Sequence, residues 1–136
     1  MVTSSLLEAE KRLLGLISQS KKLYKMSSAQ IKADEFATDV YRRLAKSMYD
    51  SYENGMSPDP AMMLNDFSND DLSEASEVFY NLEVYSGDEE TVKELLYTIK
   101  LEKLNMRINA ETDPTNLMDL FKQREELLNE KNTWEE

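Results

Sequence analysis

A chain of 136 residues with a formal net charge of -11, no cysteine and no histidine is long enough for one self-sufficient hydrophobic core and carries no thiol or imidazole chemistry. Zinc fingers, cysteine nucleophiles, Ser-His-Asp triads and histidine general bases are excluded with those residues. No apolar run approaches the roughly 20 residues of a membrane span, and the N-terminus lacks the basic region and apolar core of a signal peptide, so the expected compartment is the cytoplasm.

Helix start signals recur along the chain together with apolar residues at helical spacing, and strand signals are absent. Ser5 followed by Glu8 reads as a capping box that opens a first helix with Leu6, Leu13, Leu14 and Ile17 on one face, ending near Gln19. Ser20 caps a shorter helix through Leu23, Tyr24 and Met26, whose end is blurred by the Ser27-Ser28 pair. Thr38 caps a third, with Asp39 in its first turn and a wide stripe of Val40, Tyr41, Leu44, Ala45, Met48, Tyr49 and Tyr52. Gly55 stops that helix, and Asp59 with Pro60 at the first helical position restarts the chain through Met62, Met63 and Leu64.

Ser68 or Asn69 caps a further helix carrying Leu72, Ala75, Val78, Phe79 and Leu82, and Gly87 breaks the chain after Tyr85. Asp88, Glu89 and Glu90 suit the N-terminus of a long helix through Val92, Leu95, Leu96, Ile99, Leu104 and Ile108. Asp113-Pro114 repeats the earlier start device and opens a last helix with Leu117, Leu120, Phe121, Leu127 and Leu128, with no turn signal before Trp134. Two long helices joined by about four residues fold back on each other. The expected fold is therefore all-α: a small helical bundle over residues 1–87, then a long helix and a C-terminal antiparallel helical hairpin over residues 88–136.

The charge is unevenly placed. Residues 1–56 carry nine Lys and Arg against seven Asp and Glu, whereas residues 57–136 carry seven against twenty. No basic residue occurs between Ser57 and Glu90, so that surface repels a phosphate backbone and direct nucleic-acid binding is not expected of it. Lys21, Lys22 and Lys25 with Arg42, Arg43 and Lys46 offer an alternative, a small basic patch, but no aromatic stacking platform accompanies it. The acidic cluster Asp70, Asp71, Glu74 and Glu77 lacks the ligand order of a calcium loop, and a di-iron bundle needs histidines that the chain does not have. With glycine only at positions 15, 55 and 87, no phosphate-binding loop can be written. No catalytic residue, metal or cofactor is expected. The Tyr and Met residues Tyr41, Met48, Tyr49, Tyr52, Met62 and Met63 have helical spacing and read as core.

One feature points outward. A hairpin joined to a bundle by one helix has little core to lie on, so part of its apolar surface stays open for a partner. Phe121, Leu127 and Leu128, flanked by Arg124 and Lys131, are the candidate partner-binding residues, the bland alternative being that they only pack on Leu104 and Ile108 across the hairpin.

Read together, EAEKRLLGLI at residues 8–17, the block from Phe36 to Phe67 and the closing hairpin resemble the helicase-binding C-terminal domain of bacterial primase. The pattern comprises A-E-x-x-L-L in the first helix, F-x-x-x-x-x-R-x-L-x-x-x-x-Y running on to Gly55, and a Pro-Asp turn. The N-terminal domain of the hexameric replicative helicase shares this fold, and E-A-E-x-x-x-L-G at residues 8–15 is similar to its opening. The primase likeness implies a fragment that makes no primers, since the zinc-binding and toprim parts are not in it. It further implies a bundle that stimulates the helicase and a hairpin that docks on the helicase's N-terminal domains.

Overall fold

The computed structural model describes residues 2–80, 82 and 89–133, and the protein is all-α. Seven α-helices occur among the described residues: α1 Ser4–Ile17, α2 Lys21–Ser28, α3 Asp39–Glu53, α4 Pro60–Leu64, α5 Asn69–Val78, α6 Glu89–Ala110 and α7 Pro114–Thr133, with a single 3-10 turn at Ala33–Glu35. The expected break at Tyr85 and Gly87, the start at Asp88, and Trp134 lie outside the described residues.

Most helix starts follow from local chemistry. Thr38 and Ser20 accept hydrogen bonds from the amides of Tyr41 and Leu23, which satisfies donors that a helix N-terminus leaves orphaned. The Asp59 carboxylate accepts from the amides of Ala61 and Met62, with Pro60 at the first helical position. Gly55 ends α3 at φ 75°, a left-handed conformation that glycine adopts cheaply. The first helix departs from expectation. Thr3, and not Ser5, is its N-cap, accepting from the Leu6 amide at 3.1 Å. Helix α1 stops at Ile17, and the Ser18 hydroxyl donates to the Gly15 carbonyl at 2.6 Å. A Ser hydroxyl competing for main-chain acceptors is a common cause of an early stop. Conversely, α2 runs through Ser27 and Ser28, because the fully buried Ser27 hydroxyl bonds back to the Leu23 carbonyl within the helix.

The core is built around α1. Leu13, Leu14 and Ile17 are fully buried, and they meet Leu44 and Met48 of α3, Ala75 and Val78 of α5, and Val92, Leu95 and Ile99 of α6 in one cluster. Apolar burial of this kind is the main term holding a domain of this size together. Gly15 lets α1 approach the segment after α5: a Cβ there would stand 2.9 Å from Leu82 Cδ2 and 3.0 Å from the Val78 carbonyl oxygen. An aromatic set joins α2 to α3. Tyr24 stacks on Tyr52 at 4.6 Å and meets Tyr49 edge-on at 5.1 Å. The Tyr52 and Tyr49 hydroxyls donate to the carbonyls of Ile17 and Ile31, so these two phenols are satisfied. The Met and Tyr residues read as core are buried with one exception. Met63 packs inward, but Met62, about 100° round the same short helix, is 68% exposed.

Helix α6 leaves the bundle. Its buried residues end at Ile99, and the following turns are only half-buried. The chain reverses at residues 111–113, where the Glu111 carboxylate accepts from the amides of Thr112 and Asp113 and the Asp113 carboxylate accepts from those of Thr115 and Asn116. The start device at Asp113-Pro114 thus opens α7, which returns along α6 as the second arm of a hairpin.

Candidate interaction surface

Helix α7 shows two stripes, one residue out of step. Leu117, Leu120, Arg124, Leu127 and Lys131 recur at spacings of three and four and face α6. Leu120 is buried, the Arg124 guanidinium donates to the Asn105 side chain at 2.8 Å, and the Lys131 ammonium lies 4.3 Å from the centre of the Tyr97 ring. Met118, Phe121 and Leu128 form the second stripe, about 100° further round the helix. They are 73%, 42% and 43% exposed, and the described residues leave them open. Three large apolar side chains along one exposed helix face exceed the scattered single hydrophobics of an ordinary surface.

The five residues singled out in the sequence therefore divide. Phe121 and Leu128 lie on the open stripe. Arg124, Leu127 and Lys131 belong to the seam inside the hairpin, although Arg124 reaches the edge of the open stripe, its guanidinium carbon 5.2 Å from the centre of the Phe121 ring. The packing alternative holds for the seam residues, while Phe121 and Leu128 are left exposed. Met118 was missed, because it was not separated from the seam residue Leu117 beside it; the one-residue offset of 118, 121 and 128 against 117, 120 and 127 is the signal that finds it.

Leu127 also borders an open groove of about 390 Å³ between α2, α6 and α7, floored by Met26, Ala29, Leu96 and Tyr97 and rimmed by Lys93, Lys100 and Glu130. Elsewhere the exposed large apolar side chains among the described residues are Val2, Met56, Met62, Leu72 and Tyr80. Of the basic patch considered in the sequence, Arg42 donates to the Phe36 carbonyl and Arg43 to that of Asp66 while lying over the Phe67 ring. Lys46 pairs with Asp50 at 3.4 Å and Lys22 with Glu89. These contacts tie four of the six cations to local acceptors. Among the described residues, no three of Asp, Glu, His and Cys converge on a point that could hold a metal ion, and no helix is long and apolar enough to cross a membrane.

The sequence of residues 2–103 matches the model of the DnaB-like helicase N-terminal domain. The chain belongs to that family. It is the second of the two likenesses seen in the sequence, and it rests on the helices that build the core. No curated protein and no solved structure matches the chain. In this DnaB-like helicase N-terminal domain the matched stretch takes in α1 to α5 and α6 as far as Lys103. The open stripe of α7 lies beyond it.

Proposed function

We propose that the chain is a non-catalytic interaction module of bacterial chromosome replication, whose C-terminal hairpin docks on the N-terminal domains of the hexameric replicative helicase. The observation that carries this reading is the stripe of Met118, Phe121 and Leu128 on α7, left open on a domain of a helicase family. Burying large apolar side chains supplies affinity, and a rim Arg such as Arg124 supplies orientation. Residues 1–87 form the body on this reading and residues 88–136 the arm, with the N-terminal half of α6 rooted in the body's core.

The finer role, the helicase-binding and helicase-stimulating part of a primase, is supported by A-E-x-x-L-L at residues 9–14, the Phe36 to Phe67 block and the closing hairpin. It would couple primer synthesis to the advancing fork. A second reading is favoured by the family match itself: the N-terminal domain of the replicative helicase, offering the same stripe to a neighbouring domain. Coding sequence flanking the chain separates the two, since a toprim fold upstream supports the primase role and a P-loop ATPase downstream supports the helicase.

Co-elution with the hexameric helicase, and a changed helicase ATPase rate, are the expected results for the intact chain. Phe121→Asp and Leu128→Asp should abolish both while leaving the circular dichroism spectrum unchanged, since neither side chain is buried. A chain that neither co-elutes nor alters the ATPase rate sinks the docking reading, and retained binding by both variants sinks the assignment of the stripe.

A further inference from the structure

Glu10 is an anomaly of the core. It lies on the buried face of α1 between Leu6, Ala9, Leu13 and Leu14, and it is fully inaccessible. One carboxylate oxygen accepts a hydrogen bond from the Ala37 amide at 2.8 Å. The other has no hydrogen-bond partner and stands 3.9 Å from the Lys103 ammonium of α6. Burial raises its pKa above the ordinary carboxylate value, opposed by the Ala37 N–H and by the charges of Lys103 and Arg42. An apolar side chain at this position would stabilise the core without that desolvation cost, so the carboxylate does not serve stability.

Its partner stands where α6 departs. Ile99 is the last buried apolar residue of α6, the partly buried Met106 still packs on the core beyond it, and in the turn after Ile99 three polar side chains grip three different parts of the bundle. Lys100 donates to Gln30 at the end of α2, Glu102 accepts from Thr3 before α1, and Lys103 donates to the Glu35 carbonyl of the 3-10 turn as well as facing Glu10. Further along, the Asn105 side chain bonds to Arg124 inside the hairpin. Apolar contacts are non-directional, so Val92, Leu95, Leu96 and Ile99 hold α6 against α1 but leave its tilt soft. The Glu10 carboxylate, 3.9 Å from the Lys103 ammonium, adds a directional contact from inside the core.

We propose that Glu10 and Lys103 form a clasp that sets the angle at which α6 carries the hairpin away from the bundle. Glu10 is the positioning residue: through the Ala37 amide it is fixed to the segment leading into α3, and through Lys103 it holds α6 in one pose. The clasp is a property of the chain by itself and stands whether or not the hairpin docks on a helicase.

The absence of cysteine makes the test direct. Glu53→Cys on α3 and Asn116→Cys on α7, both at exposed positions, place spin labels on the bundle and on the hairpin of the full chain. Pulsed electron resonance should give one narrow distance distribution in this background, and Lys103→Met and Glu10→Gln should each shift its maximum and broaden it with helicity retained. Lys103 is partly exposed, so its variant keeps the test open if Glu10→Gln fails to fold. An unchanged distribution in the Lys103 variant overturns the clasp. A change in that variant that a folded Glu10→Gln does not reproduce also overturns it, since the Glu35 carbonyl would then be the anchor.

Discussion

At the scale of single residues, two positions carry information that burial alone does not. Glu10 titrates above its ordinary 4.5 in the folded protein. A raised carboxyl pKa means that the folded state binds its proton more tightly than the unfolded chain. The associated stability is therefore fully present below 4.5 and is lost as pH rises through the folded value. Glu10→Gln removes this dependence and leaves the rest of the titration in place. Denaturant midpoints followed from mildly acidic to neutral pH should show the native chain losing ground to the variant as pH rises, and parallel curves would refute the assignment. Gly15 is the other. In an exposed helix Ala would gain about 1 kcal/mol over Gly. Here the added Cβ meets the main-chain oxygen of Val78 at 3.0 Å, an atom that cannot rotate aside. Overpacking of this kind costs about 1–3 kcal/mol, so Gly15→Ala should lower the stability measured by denaturant unfolding.

At the scale of elements, α7 illustrates how one helix can carry two different faces. Its seam and its open stripe differ by a single residue in register, which turns a side chain about 100° round the axis. Leu120 and Leu128 are chemically identical but only the first is buried, 4% exposed against 43%. Leu120→Ala should cost about 2–3 kcal/mol, seen as faster amide hydrogen exchange along α7 with α1 and α3 unaffected. Leu128→Ala should stay within about 0.5 kcal/mol, as surface changes do. Equal protection in the two variants would mean that the seam and the stripe have been wrongly divided. The short helices obey the same logic. In helix α4, Met63 is taken into the core and Met62, one position away, is left out.

At the scale of the whole molecule, the main core cluster draws its buried members from α1 to α6 and the segments between them, and none from α7. The bundle is thus independent of α7 in its packing. A chain shortened after Ala110 should keep a cooperative thermal transition at a lower midpoint, because Tyr97 and the half-buried Leu101 and Leu104 lose their cover. The same chain should fail to co-elute with the helicase. Docking by the full chain should persist as salt is raised, since apolar contact is not screened as phosphate pairing is.

Several features were determined by the sequence alone, because their causes are local. The caps at Ser20, Thr38 and Asp59, the glycine stop at Gly55 and the Asp113-Pro114 start each depend on a few neighbouring atoms, and the all-α class follows from them together with the apolar spacing. The first cap was misplaced from Thr3 to Ser5 because Thr3, Ser4 and Ser5 are three hydroxyl residues in succession, and the hydrogen bond from the Leu6 amide selects Thr3 among them. Other features were decided by the tertiary structure. Which stripe of α7 faces α6, why an acid sits in the core, and why residue 15 has no side chain all depend on groups distant in the chain: Asn105 and Tyr97, Lys103 and Ala37, Val78 and Leu82. A helical sequence specifies which residues share a face, but the element that covers that face, or leaves it open, is fixed only when the bundle closes.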